Sequence, residues 1–403
     1  MKLNCSWMGI KLESPCIMAS ITLMSNVNIE KHVEYYLKVI KNGSGAIVLP
    51  SVNPKKQSFS NSKVEASCLP LKTGLKRSSN MAFSVLGPTS NLVSVEYIVE
   101  LINNLIQKNK TVPIIGSIAN IGTEEEILKA VEILNQTEIK GIELNFSCPN
   151  VLTKKENENT LTIDLLRNIR KKTRLPISLK LSPNFDYSTI LPVLSNEIDS
   201  LTVSNAFIGL VPPNLKSNVF SPFCGKNKWA PSGIYGPYEK MLTFYNLFSI
   251  GNILAEKGWD VACVGGLVNA NDVLQAIYLG ADVVGLSSVI AWDGVSSFIK
   301  IKKEIIKYMD DNKISSLNEM KGKALSSIYN SADEISNKFD SDKMKVDMDL
   351  CRSCNPCLCC DKMCVAISQD NQLNVSIDAE LCSGCRWCYY ICPNKAIVKD
   401  ETY

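Results

Sequence analysis

The chain has 403 residues, enough for one large domain and a small one, since barrels of roughly 250 residues fold as single domains. With 45% hydrophobic and 21% charged residues it has an ordinary globular make-up, and a net charge of +3 over 43 basic and 40 acidic side chains gives no field for nucleic acid. No apolar leader opens the sequence and no window reaches the roughly 18 apolar residues of a membrane span, so a cytoplasmic protein is expected.

Residues 3–12 read as a hairpin able to plug the base of a barrel. Short β-rich apolar runs then follow at 16–20, 46–50, 112–118, 141–145, 177–181, 200–205, 261–265 and 283–286, separated by amphipathic stretches at helical spacing. Eight such runs with crossovers of about 30 residues or more predict an α/β fold, a closed (β/α)8 TIM barrel over 1–309. The single histidine, His32, falls in the helix after the first strand and is expected at the surface. Gly43-Ser44-Gly45 begins like a dinucleotide fingerprint, but it precedes a strand and lacks the third glycine. No other segment offers an FAD or NAD(P) site, so pyridine-nucleotide electrons would have to arrive through a separate protein. Residues 310–345 turn polar around an amphipathic stretch at 317–335 and read as a partly helical connector, which leaves 346–403 as a small α+β domain.

That last segment is chemically different. Of 16 cysteines, ten lie between Cys351 and Cys392, and clustered cysteines in a reducing compartment are more often metal ligands than disulfides. Cys351, Cys354 and Cys357 recur as Cys382, Cys385 and Cys388 within a longer repeat at an offset of 31. The second copy runs on to Cys392-Pro393, completing the C-x2-C-x2-C-x3-C-P spacing of bacterial ferredoxins, which predicts two 4Fe-4S clusters in a ferredoxin-like domain. In the two-cluster arrangement Cys392 joins the first triplet, and the second triplet takes a ligand from the first copy. The matching position is Asp361, with Cys359, Cys360 and Cys364 nearby. The frame Cys354, Cys357, Cys360 and Cys364 also has the right spacing; the repeat-matched frame with Cys360 is preferred. A zinc ribbon is the alternative, and two triplets followed by Cys-Pro argue against it.

In the barrel, polar residues stand at the carboxyl ends of strands, where barrel active sites lie. Asn145-Phe-Ser147-Cys148-Pro149-Asn150 follows the fourth strand, Lys180 sits inside the apolar fifth, and Asn205 ends the sixth. A lysine there must reach a partner or suffer desolvation, which points to an anionic or electron-rich ligand. Gly265 and Gly266 end the seventh strand and Ser287 and Ser288 the eighth, the usual phosphate site of such barrels, so a phosphate-bearing cofactor such as FMN fits.

Together these motifs resemble, over nearly the whole chain, the dihydroorotate dehydrogenases and the pyrimidine-reducing half of dihydropyrimidine dehydrogenases; the ferredoxin-like tail narrows the likeness to the latter. The resemblance implies an FMN oxidoreductase acting on a CH-CH bond of a pyrimidine-like substrate, with clusters as electron wire and a separate FAD- or NAD(P)-binding protein or a ferredoxin as partner. It implies a homodimer or a hetero-oligomer. It further implies that Cys148 is the general acid or base and that Lys180 faces the flavin. Ala19, Ser20, Asn145, Gly233, Gly265, Gly266, Ser287 and Ser288 would contact the cofactor, and Asn120, Ser147, Asn150 and Asn205 the substrate. For Cys148 the plainer alternative is a buried small hydrophobe. Two departures stand out: Leu49-Pro50-Ser51 where the family has a flavin-contacting lysine, and Tyr235-Gly236-Pro237 where a basic residue is expected. An electron-transfer subunit whose chemistry lies in a partner, or a barrel that has lost flavin, are the other readings.

Overall fold

A computed structural model describes residues 3–21, 28–55, 93–146, 163–183, 190–210, 213, 215, 232–329, 343–354 and 364–400, and the backbone of 67–72 and 81–86. The chain forms two compact units, Met1–Leu325 and Ser326–Tyr403.

The first unit is built on a closed barrel of eight strands: β3 (Cys16–Met18), β4 (Ile47–Val48), β7 (Ile114–Ala119), β8 (Gly141–Asn145), β9 (Ile177–Lys180), β10 (Ser200–Val203), β13 (Asp260–Val264) and β14 (Val283–Leu286). All eight are staves that the hydrophobic runs predict, paired in parallel in chain order, with β14 returning to β3. At the base, β1 (Cys5–Trp7) and β2 (Ile10–Leu12) form the expected hairpin. Trp7 is fully buried against Ile17, Ala46, Val48, Ile115, Ala262 and Val283, and its Nε1 donates to Ser200 Oγ at 2.8 Å, which ties the plug to the barrel floor.

Helices clothe the barrel because each carries one apolar stripe and a polar cap. In α2 (Val95–Lys108) the positions Ile98, Leu101, Ile102 and Leu105 are all fully buried, and Ser94 caps the first turn by accepting from Tyr97 N. Thr123 and Glu126 close a capping box at the start of α3 (Glu124–Asn135). The structure corrects the reading of His32. It is buried on α1 (Ile29–Lys41) in line with Val33, Tyr36 and Val39, and its Nδ1 is hydrogen-bonded to the Tyr97 hydroxyl. Because α2 covers α1, a face that looked free in the sequence is an interior one. Gly43-Ser44-Gly45 is the turn from α1 into β4, where Ser44 Oγ accepts from Met18 N and donates to Ala46 O.

A second sheet was not legible in the sequence. β5 (Ser67–Lys72), β6 (Met81–Leu86), β11 (Phe207–Gly209) and β12 (Ser232–Tyr235) form an antiparallel sheet in the order β11-β12-β6-β5. It joins insertions that follow the carboxyl ends of β4 and β10, with Gly233 opposite Val85, a pairing too distant in sequence to leave a local signal. Beyond α9 (Ser297–Asp311) the connector begins with two short 3-10 turns, Leu317–Glu319 and Leu325–Ser327, and Leu317 and Met320 join the barrel core. Residues 330–342 lie outside the described residues.

In the second unit β15 (Met344–Val346) pairs with β18 (Ile397–Lys399), β16 (Ile367–Gln369) with β17 (Val375–Ile377), and a short helix, Trp387–Ile391, carries Cys388 of the second cysteine triplet. Its buried core is small: Met344, Ala366, Cys382 and Ile397 in one cluster, Ile367 and Val375 in another. Among the described residues no helix is long and apolar enough to cross a membrane.

Candidate active site and cluster-binding tail

The inside of the barrel is polar where most barrels pack aliphatic layers. Side chains that alternate inward along β7, β8, β9 and β10 place Ser117, Glu143, Ser178, Lys180, Ser200 and Thr202 within it, all nearly or fully buried. They are mutually satisfied, as burial demands. Ser178 Oγ and Thr202 Oγ1 are 2.9 Å apart, Thr202 Oγ1 donates to Glu143 Oε2 at 3.2 Å, and Ser117 Oγ donates to Glu143 Oε1 at 3.4 Å. Glu143 Oε1 also lies 3.6 Å from Lys180 Nζ, so the lysine that had to find a partner has found a carboxylate on the neighbouring stave. An acidic residue inside the apolar run 141–145 is the same signal as the lysine inside 177–181; sequence reasoning used one and passed over the other.

Toward the mouth the network continues through Ser117 Oγ to Ser51 Oγ at 2.8 Å, and Asn145 Nδ2 donates to Ser51 at 2.9 Å. Asn205 Nδ2 donates to Asn145 Oδ1 at 2.7 Å. Asn120, buried on the loop after β7, donates its N–H to the Asn145 carbonyl at 3.4 Å. Three candidate amides therefore converge at one end of the barrel, and Ser51, next to the Pro50 that stands where a lysine was expected, is a hub of the hydrogen bonds there. Ser20 Oγ reaches the same Ser51 at 3.4 Å, whereas the Ala19 N–H is spent on Leu286 O, so Ala19 can offer a ligand only its carbonyl.

The candidate phosphate end is built from β13 and β14. Gly265 and Gly266 have φ of +127° and +73°, and a Cβ on Gly266 would stand 2.3 Å from Lys240 N, so no side chain fits there. Ser287 and Ser288 open the short helix Ser288–Asp293 on the adjacent loop. Lys240, at the start of the helix Lys240–Ser249, is held by Asp272 at 2.7 Å. Beside it Glu239 is buried, with Oε1 accepting from Phe207 N at 3.1 Å. Burial pushes its carboxyl up to about 8, against the pull of the Phe207 and Gly236 amides and the Lys180 charge. Nothing in Pro237-Tyr238-Glu239-Lys240 marks this acid as interior. Ser147, Cys148 and Asn150 lie outside the described residues.

These residues fit a flavin phosphate. Two buried hydroxyls at the carboxyl ends of β10 and β13, Ser204 Oγ and Thr243 Oγ1, have no hydrogen-bond partner among the described residues; the glycine turn leaves its backbone open; and one buried cation faces the barrel mouth.

In the tail, Cys351, Cys354 and Cys392 line one small cavity with Val346, Val375 and Pro393. Amides point at the sulfurs: Asn394 Nδ2 donates to Cys354 Sγ at 3.4 Å and Ala396 N to Cys392 Sγ at 3.3 Å. Such bonds stabilise thiolate ligands and tune cluster potentials. Cys364, Cys388 and Cys392 pack against both small core clusters of the tail, with Cys351 against the second, and burial raises the Cys388 thiol. Cys357, Cys359 and Cys360 lie outside the described residues.

Comparison with known proteins agrees with both halves. The dihydroorotate dehydrogenase family profile matches residues 3–309, and a 4Fe-4S binding domain profile matches 375–398. The catalytic subunit of dihydroorotate dehydrogenase B (NAD(+)) from Thermoplasma volcanium is 25% identical, covering 79% of this chain and 96% of the relative; that from Thermoplasma acidophilum is 23% identical over 80% and 99%. The dihydroorotate dehydrogenase (fumarate) of Lachancea kluyveri is 27% identical over 54% of this chain and 70% of its own. With the barrel, its polar mouth and the cysteine-rich tail in place, the chain belongs to the dihydroorotate dehydrogenase family, FMN oxidoreductases acting on a CH-CH bond, here carrying a 4Fe-4S binding domain.

Proposed function

We propose that the protein adds or removes hydrogen across the C-C bond of a dihydropyrimidine- or dihydroorotate-like cyclic amide, its electrons passing through two 4Fe-4S clusters to a separate FAD- or NAD(P)-binding protein or a ferredoxin. The observation that carries this reading is the buried Lys180 at the barrel mouth, next to the hydrogen-bonded pair Asn145 and Asn205. FMN, when bound, supplies hydride exchange at the substrate carbon. The chain's own residues supply the rest. Lys180 presents a fixed positive charge where negative charge develops. Asn205, Asn120, Ser147 and Asn150 orient the amide edges of the substrate, and Asn145 serves either ring system. Gly233, Gly265, Gly266, Ser287 and Ser288, with Ser20 and the Ala19 carbonyl, hold the cofactor. Cys148 moves the proton at the carbon adjacent to the one that exchanges hydride, because charge building beside a carbonyl must be quenched by a positioned donor.

The relatives whose names specify a catalytic subunit and NAD(+) support a partner that handles the nucleotide. For the tail, the repeat-matched frame puts Cys351, Cys354, Cys357 and Cys392 on one cluster and Cys360, Cys382, Cys385 and Cys388 on the other, with Cys364 the alternative fourth ligand; the cavity shared by Cys351, Cys354 and Cys392 supports the first set. Cys360→Ala is expected to lower the bound iron substantially while Cys364→Ala leaves it intact; the opposite pattern makes Cys364 the ligand.

The decisive test of the enzyme reading is Cys148→Ala. The variant is expected to keep flavin and iron and to lose turnover by about 100-fold or more. Undiminished turnover would favour a relay barrel whose chemistry lies in a partner.

A further inference from the structure

The residue that the proposed chemistry does not use is Glu143. A carboxylate 2% exposed inside a barrel is unfavourable unless it serves a neighbour, and its surroundings show which one. Oε2 takes the Thr202 hydroxyl at 3.2 Å, and Oε1 takes the Ser117 hydroxyl at 3.4 Å while facing Lys180 Nζ at 3.6 Å. Those hydroxyls are in turn fixed by Ser178 and Ser51. Glu143 is therefore anchored from two staves, β7 and β10, and aimed at a lysine on a third, β9. At 4% exposure the lysine side chain needs a partner that fixes its position, and Glu143 provides it. The second carboxylate near Lys180, Glu239, is committed to the Phe207 amide.

We infer that Glu143 is a positioning residue that fixes the Lys180 ammonium in the place from which it would act on the flavin, and so sets the electron affinity of the bound cofactor. The inference rests on the reading that Lys180 faces FMN. A cation beside the reduced, negatively charged flavin raises its reduction potential, and Glu143 acts only through that cation.

The test is a double-mutant cycle read in the flavin midpoint potential of the full holoprotein, using Lys180→Met, Glu143→Gln and the pair together. Lys180→Met is expected to shift the potential downward. Glu143→Gln should shift it in the same direction by a smaller amount, because Lys180 is then held less firmly in place, and the pair should match Lys180→Met alone. The pair buries no lone charge, so it keeps the cycle readable even where one single variant folds poorly. An upward or absent shift for Glu143→Gln, or additive shifts in the pair, would overturn the inference while leaving the flavin assignment standing. A wild-type chain that binds no flavin would overturn both.

Discussion

The barrel and the tail solve the problem of buried polar groups in opposite ways. The barrel carries its charges inside a preformed lattice: Glu143 takes the Ser117 and Thr202 hydroxyls and faces Lys180, within a network of buried hydroxyls whose hydrogen bonds are already made, on a core running from Leu3 to Met320. Among its described residues the tail buries seven apolar side chains and has seven cysteines without disulfides, and it exposes Trp387 and Tyr390 at 55% and 73%. One unit is held together by its own side chains; the other has sulfur where a core would be, and needs a cofactor to unite it.

Removing iron is the strongest way to break this comparison. Stripping the clusters anaerobically with a chelator and an oxidant should make 343–400 susceptible to protease while a barrel fragment near 1–325 survives; simultaneous loss of both would contradict the division. The next effect contrasts two ion pairs. Lys180→Ala leaves Glu143 buried alone and should lower stability by about 3–5 kcal/mol in denaturant unfolding. Lys345→Ala, which breaks the half-exposed pair with Asp400 at 3.3 Å, should change it by about 1 kcal/mol or less. Equal effects would mean that the barrel lattice does not depend on its charges. A pH-dependent effect concerns Glu239, whose carboxyl is pushed up to about 8 by burial. The folded chain keeps a proton there that the unfolded chain releases above the ordinary carboxylate range. Its contribution is therefore present at low pH and lost as pH rises toward and through about 8. The melting temperature should fall over that window in the wild type and less in Glu239→Gln; parallel curves would refute the assignment.

The staves, the base hairpin and the 4Fe-4S character of the tail were legible because each leaves a local signature: eight apolar runs, an apolar Trp7 in the opening hairpin, and fixed cysteine spacings. What escaped was written across distance. The sheet that pairs Gly233 with Val85 has no local pattern, His32 looked superficial until α2 covered it, and Glu239 is interior only because the β12 turn folds it under Phe207. Ser51 shows the same limit within the site. In the sequence it was only the residue after Pro50, which stands where a lysine was expected, and only the fold reveals that it binds Ser117 and Asn145.

The central claim is a flavin barrel joined to two clusters in one chain, and the most direct measurement assays iron, acid-labile sulfide and acid-released flavin on one anaerobically purified sample with its absorbance spectrum. The account predicts about eight iron atoms, about eight sulfides and one FMN per chain. Iron without flavin would contradict the barrel's assignment, and about four iron atoms with flavin would contradict the second cluster.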